Sequence, residues 1–375
     1  MAARITHVAI KDYRSIGSCD VELQPLTLLV GPNGSGKSNF LDALRFLHDC
    51  MHAPLQQVVH SRFGMTSILR RLPMAQFAEF CTVALRFQLE DTTAGYYSLS
   101  LGPGRDDAAV ILEEQCQVGH QWFTYEKGRT HSSVGNLPPS SGDRPLLASF
   151  AVLPQFFRAF QLLNSFAFYT PTPSQMRQPL LAGPGNLLLP DASNAADVFS
   201  RIARNSQLVE RIQGYLCSIN PQFTKFDTYE HEGYRWFQFY PSTDGPSGWK
   251  FNGAQVSDGT LHAIGVLLAI FQNPTQPLSL IGLEEPETNL HPAAAGVLLD
   301  ALLEASNSVQ IIASTHSADL LDRKTLPENS ILAVVLKDGE TIIGPVDDAS
   351  RAILRQRYYT AGGLLRSNEL QPSRT

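Results

Sequence analysis

Residues 26–49 read LTLLVGPNGSGKSNFLDALRFLHD. Gly31, Gly36, Lys37 and Ser38 fit the spacing G-x-x-x-x-G-K-[ST], whose chemistry is phosphate binding. An apolar run precedes the loop, as a strand does. A helical pattern follows it, with Phe40, Leu44 and Leu47 on one face and Leu41 and Ala43 beside them. The glycines let backbone N–H groups close around phosphate oxygens, and the start of the helix adds partial positive charge. Lys37 is placed to reach the β- and γ-phosphates, and the Ser38 hydroxyl to bind Mg²⁺. A glycine-rich turn before an amphipathic helix is the plain alternative, and the strand–loop–helix context sets it aside. The stretch predicts a chain that binds a nucleoside triphosphate.

Composition narrows the class. With 375 residues, 43% of them apolar and 17% charged, the chain can bury a large core and is neither disordered nor built to span a bilayer. The longest apolar runs, such as Leu261 to Phe271, are too short to cross a membrane. No basic segment followed by an apolar one opens the chain, so no secretory signal is expected. Cys19, Cys50, Cys81, Cys116 and Cys217 are odd in number and scattered, which points to buried thiols in a reducing cytoplasm. A net charge of −6 gives no global signature for nucleic acid but leaves room for a local basic groove.

Three stretches follow from the patterning. Residues 1–129 hold two opening strands, the phosphate loop and short alternating strands from Glu79 to Tyr125 that read as an antiparallel meander. Residues 130–252 read as an inserted arm. A Ser-, Pro- and Gly-rich loop spans Thr130 to Arg144, and Pro154 breaks an apolar segment. A helical pattern then runs from Asp191 to Tyr215, and a hairpin over Phe223–Phe251 turns at Ser242–Gly248. Residues 253–375 hold an apolar helix after Ser257-Asp258-Gly259, then a strand ending in Glu284-Glu285-Pro286-Glu287. A helix starting at Pro292, a strand ending in Ser314-Thr315-His316-Ser317 and a terminal hairpin at Ile331–Val346 complete it. Strand, helix, strand at this spacing predicts parallel pairing.

The paired carboxylates carry the second chemical signal. Successive side chains of an extended segment point to opposite sides, so Glu284 can face Mg²⁺ while Glu285 polarises a water in line with a γ-phosphate. Two solvated acids at a strand end are the alternative, which the phosphate loop disfavours.

The order GPNGSGKSN, VSDGT, LIGLEEPETNLHP and IIASTHS resembles the ATP-binding-cassette ATPase heads. Within them it is similar to the SMC, RecF and OLD branch, and above all to stand-alone bacterial AAA-type ATPases related to OLD. The opening IKDYRSIGS and the middle FYTPTPSQMRQP and LLPDASNAADVFSRI resemble the same group. The resemblance implies an α/β fold: a mixed sheet around the phosphate loop, an antiparallel β lobe and the inserted arm. It assigns Gly31, Asn33, Gly34, Ser35, Gly36, Lys37, Ser38 and Asn39 to the phosphate loop and Glu285 to the catalytic glutamate. Glu284 stands where many such heads have a metal-side aspartate, so its extra methylene leaves direct and water-mediated contact both open. His316 matches the switch histidine that hydrogen-bonds the γ-phosphate. Ser257, Asp258 and Gly259 match the signature that covers the partner's ATP, although a plain helix N-cap reads the same way locally. Asn289-Leu290-His291 falls at the dimer-crossing loop. Arg14 stands where a basic residue approaches phosphate, with a surface arginine as the other reading. Neither Gln88 nor Gln175 is assigned as the metal-sensing glutamine.

These residues imply Mg²⁺-dependent ATP hydrolysis coupled to a head-to-head homodimer in the cytoplasm. The expected role is the ATPase component of a bacterial anti-phage or DNA-maintenance system. Fused OLD proteins carry a TOPRIM domain, and too few residues follow His316 to build one, so a separate nuclease-type effector is expected. A RecF-like clamp on DNA is the alternative, and a transporter motor a more distant one.

Overall fold

The computed structural model describes residues 3–135, 137, 142–242, 249–323, 326–356 and 359–373, and two compact units divide the chain. The first comprises Met1–Phe166, Asn329–Arg351 and Leu370–Thr375; the second comprises Ala167–Glu328 and Ala352–Glu369. The stretch read as an arm, residues 130–252, is shared between them.

The first unit begins with β1 (Arg4–Tyr13), β2 (Ile16–Glu22) and β3 (Leu26–Val30), followed by α1 (Lys37–His52) and α2 (Leu55–His60). The meander is β4 (Cys81–Gln88), β5 (Ala94–Pro103), β6 (Ala109–Val118), β7 (Gln121–Glu126) and β8 (Arg129–Ser132), each antiparallel to the next. Two helices follow, α3 (Leu146–Phe150) and α4 (Pro154–Asn164), and Pro154 opens the second of them, where its missing N–H leaves no helical bond unmade.

Part of the stretch expected as a loop, Thr130–Arg144, is thus the strand β8. It is turned back on β7 by Lys127 and Gly128, both at positive φ. Residues 136 and 138–141 of that stretch lie outside the described residues.

The second unit takes over within β9 (Phe166–Tyr169) and continues through α5 (Pro173–Met176), β10 (Leu180–Leu181), α6 (Ala195–Ile202) and α7 (Ser206–Ile219). A small antiparallel sheet follows, of β11 (Phe223–His231), β12 (Tyr234–Pro241) and β13 (Phe251–Asn252), with β10 also on β12. The expected connection at Ser242–Gly248 leads from β12 to its antiparallel neighbour β13, and the hairpin of β11 and β12 turns at Glu232-Gly233. Both turn residues adopt positive φ, the geometry that matches strand twist across a two-residue loop. Residues 243–248 lie outside the described residues.

Next come α8 (Asp258–Phe271), β14 (Leu280–Glu284), α9 (Pro292–Ala305) and β15 (Gln310–Thr315). The chain ends with β16 (Ile331–Lys337) and β17 (Glu340–Pro345) of the first unit, then α10 (Asp348–Arg355) and α11 (Ala361–Arg366).

In the first unit a large mixed sheet runs β8-β7-β6-β5-β4-β1-β2-β17-β16-β3. β17 lies parallel to β2 and β16 parallel to β3, and the remaining pairs are antiparallel. All five residues of β3 are buried, as a strand covered on both faces requires. α1 buries Phe40, Leu41, Leu44 and Leu47. In the second unit β15, β14 and β9 are neighbours, and β14 is parallel to β15 as the spacing predicts. Every residue of α8 from Thr260 to Phe271 is buried, because α5, α6, α7, α9 and β14 all pack on it. Among the described residues, no helix is long and apolar enough to cross a membrane.

Candidate functional site

The predicted residues form three sets, one in the first unit and two in the second. In the first unit β3 delivers the loop Gly31–Gly36 to the start of α1. Gly34 and Gly36 adopt φ of 76° and 103°, which a residue with a Cβ adopts only under strain. At Gly31 a Cβ would lie 2.0 Å from the Val334 carbonyl oxygen, so strand β16 presses the loop backbone into place. The loop closes on itself through Ser35 N–H to the Pro32 carbonyl at 3.2 Å. The Asn39 and Phe40 N–H groups both donate to the Gly36 carbonyl. The N–H groups of Gly34, Gly36 and Ser38 stay outside these bonds. The Lys37 ammonium is buried and donates to the carbonyls of Gly31 and Pro32, each at 2.9 Å. Ser35 Oγ is buried without a hydrogen-bond partner. Glycines where a Cβ would not fit, an inward lysine and an unpartnered hydroxyl form a cradle that suits a polyphosphate.

Two residues that motif reading passed over hold this loop. The Thr341 hydroxyl, on β17 and fully buried, donates to the Ser35 carbonyl at 2.8 Å. Ser15 Oγ lies 2.7 Å from Thr341 Oγ1 and accepts from the Asn39 amide at 2.6 Å. No local pattern marks either residue. Arg14 is not a free surface arginine: its guanidinium lies 3.0 Å from the Asp42 carboxylate on α1. Tyr13 also donates to Asp42, at 2.6 Å, and Arg62 approaches it at 3.4 Å.

In the second unit Glu284 ends β14 and is partly buried. Glu285 departs from the expected extended geometry. Its φ is 45°, so strand alternation does not set its direction. The left-handed turn is held by the Glu285 N–H, which is 3.0 Å from the Ser314 carbonyl and 3.3 Å from Ser314 Oγ. The turn brings Glu285 Oε1 to within 3.1 Å of His316 Nδ1. Both side chains keep roughly two-fifths of their surface exposed, at 37% and 41%. A carboxylate and an imidazole at that distance, facing outward on rigid strand ends, form a pair able to accept and direct a proton.

Beneath them lies Glu287, to which the motif reading gave no role. It is buried, accepts from the Thr315 hydroxyl at 2.5 Å, and its second oxygen has no partner. Burial raises its pKa above the ordinary carboxylate value, against the lowering effect of the Thr315 bond.

The third predicted set caps α8. Ser257 is the N-cap, its hydroxyl accepting from the Thr260 N–H at 3.3 Å. Asp258 pairs with Arg177. Gly259 touches the crossing loop: a Cβ there would lie 2.2 Å from the Asn289 carbonyl oxygen. One turn further on, His262 is buried with Nδ1 3.2 Å from the Pro171 carbonyl. Burial lowers its pKa, against the backbone of Pro171, Pro286 and Glu285, which raises it. The start of α8 and the turn carrying Glu285 are therefore in contact.

Mg²⁺ calls for oxygen ligands; the first unit offers the Ser38 hydroxyl at the start of α1, and the second unit, by itself, offers the Glu284 carboxylate at the end of β14. Among the described residues, no group of three or more His, Cys, Asp or Glu is placed to hold a metal by itself. One protein oxygen on each unit suits a cation held mainly by phosphate and water.

Comparison with known proteins points the same way. Residues 180–322 match the family described as "AAA domain, putative AbiEii toxin, Type IV TA system", and residues 4–68 match an AAA ATPase domain. The DNA replication and repair protein RecF of Nocardioides sp. is 25% identical over 108 residues. That match takes in 28% of this chain and only 23% of the RecF protein. Among solved structures, an SmcHead bound to the C-winged helix domain of ScpA superposes with a TM-score of 0.58 at 15% identity, over 91% of this chain and 97% of that one. The Smc head domain with an extended coiled coil, bound to the C-terminal domain of ScpA derived from Pyrococcus furiosus, gives 0.57 at 13% identity, over 94% and 99%. At such identities the superpositions establish the fold.

Proposed function

We propose that this chain, an ATP-binding-cassette-type ATPase head of the SMC, RecF and OLD branch, hydrolyses ATP to ADP and phosphate and dimerises head to head as it does so. The free N–H groups of the loop and the Lys37 ammonium bind the β- and γ-phosphates. Mg²⁺, when bound, would take the Ser38 hydroxyl and the Glu284 carboxylate as ligands and would supply positive charge at the phosphates. Glu285 accepts a proton from the water that attacks the γ-phosphorus, the new P–O bond forms, and the bond to the β-phosphate oxygen breaks. His316 orients Glu285 through Nδ1 and turns Nε2 to the phosphate. Ser257, Asp258 and Gly259 of a second copy close the site, and Arg14 steadies the loop helix through Asp42.

The observation that carries this reading is the Glu285–His316 pair, built on a left-handed turn that few non-glycine residues adopt. The test is ATP binding and turnover by the wild type and by Lys37→Ala. The wild type should bind and hydrolyse Mg·ATP, and the variant should lose binding by about 100-fold while keeping its fold. Wild-type ATP affinity in the variant would end the phosphate-loop reading.

The biological role we propose is the ATPase component of a bacterial anti-phage or DNA-maintenance system, acting in the cytoplasm with a separate nuclease-type effector. The match over residues 180–322 to a toxin–antitoxin family supports it. The RecF similarity favours a second reading, an ATP-dependent clamp on DNA. DNA affinity that appears only with ATP and falls steeply with salt would select the clamp.

A further inference from the structure

We infer that Glu287 and Thr315 are positioning residues that hold Glu285 and His316 in register. The inference rests on the reading that these two act on ATP. Thr315 is fully buried and Glu287 nearly so. The Thr315 hydroxyl donates to Glu287 Oε1 at 2.5 Å and accepts from the Ser317 N–H at 3.0 Å. His316 lies between the two residues of that second bond, so its turn is pinned from below on both sides.

The facing turn is gripped at the same level. Ser314 holds the Glu285 N–H, the Thr288 N–H donates to the Glu285 carbonyl, and the Leu290 N–H donates to the Glu287 carbonyl, the last two at 3.0 Å. Three successive residues of one strand end thus engage the other turn: 314 with 285, 315 with 287, and 316 with 285 again. The hydroxyl–carboxylate bond runs between two buried side chains, one from each turn, and joins the turns directly.

Energetics argue against a purely structural role. A buried carboxylate with one unpartnered oxygen is expensive, and an apolar pair of the same volume would be as stable or more so. What an apolar pair cannot supply is direction. A short hydrogen bond fixes the spacing of two turns whose tips carry a 3.1 Å contact, and a shift of 1 Å there is enough to disrupt catalysis.

The experiment measures kcat and KM for ATP in the wild type, Thr315→Val, Thr315→Ser, Glu287→Leu and the Thr315→Val/Glu287→Leu double variant, with ATP affinity and thermal melting as controls on the fold. Thr315→Val should lower kcat by about tenfold or more and leave KM within about twofold. Thr315→Ser, which keeps the hydroxyl, should restore kcat to within about threefold of wild type. The double variant should lose no more than the worse single variant, because one bond is removed twice. Wild-type kcat in Thr315→Val, failure of Thr315→Ser to recover, or losses that multiply in the double variant would each overturn the inference. If Thr315→Val melts below the assay temperature, the serine and double variants decide on the same criteria. A wild type without ATPase activity overturns the functional reading and this one with it, whereas an active wild type with an indifferent Thr315→Val overturns this one alone.

Discussion

Glu285 Oε1 lies 3.1 Å from His316 Nδ1, and the two residues sit on different turns, at the ends of neighbouring parallel strands. The contact assigns the imidazole a direction. With Nδ1 given to Glu285, the other ring nitrogen is the one left for a substrate oxygen, and it donates there only when the ring carries both protons.

That geometry separates the two roles by mutation. Glu285→Gln keeps shape but cannot take a proton, so hydrolysis should fall about 100-fold or more with ATP binding retained. His316→Ala leaves the carboxylate unoriented and should lower kcat by about 10- to 100-fold. Single-turnover phosphate release with equilibrium ATP binding distinguishes them. Turnover by Glu285→Gln at the wild-type rate would move the general base elsewhere.

The composite site makes a prediction about assembly. With Mg·ATP, Glu285→Gln should accumulate as a dimer, because the unhydrolysed γ-phosphate keeps both copies engaged and ATP stabilises association by mass action. Adding Ser257→Arg puts a bulky cation on the exposed N-cap of α8 and should return the protein to monomer. Light scattering with ATP, with ADP and with the double variant reads this. Indifference to nucleotide in all three leaves an ATPase but removes the shared site.

The loop brace is tested by Thr341→Val. The variant loses the hydroxyl that donates to the Ser35 carbonyl and meets Ser15, with almost no change in volume. A loss of about 1–2 kcal/mol should appear as ATP binding weakened by about 5- to 30-fold, with kcat at saturating ATP nearly unchanged. A loss in kcat alone would mean that Thr341 does not act through the phosphate loop.

Glu114 predicts a pH dependence unrelated to turnover. It is fully buried, accepts from the N–H groups of Leu146 and Leu147 and from Tyr97, and burial pushes its pKa up to about 7. In the unfolded chain a glutamate titrates near 4.3. Between those values the folded state binds the proton and the unfolded state does not. Wild-type stability should therefore fall, relative to Glu114→Gln, as pH rises from about 4.3 through about 7, by a total on the order of 3 kcal/mol. Melting temperatures of both proteins from pH 4 to pH 8.5 measure it, and parallel curves would refute it.

What residues 26–49 determine by themselves is local. A strand, a loop that needs backbone freedom at Gly34 and Gly36, and an amphipathic helix lie within a short span, so the phosphate cradle is legible from residue spacing. The same holds for Pro292 at the first position of α9 and for Ser257 capping α8, because capping and proline geometry act within one turn. Tertiary structure alone decided the rest. Thr341 reaches the Ser35 carbonyl across 306 residues, and Thr315 reaches Glu287 across 28; neither contact leaves a trace in local periodicity. The direction of Glu285 is of the same kind. Its neighbours suggest a continuing strand, but the Ser314 carbonyl and hydroxyl claim its N–H and hold it in the left-handed region, a strain that only a contact with a neighbouring strand can maintain.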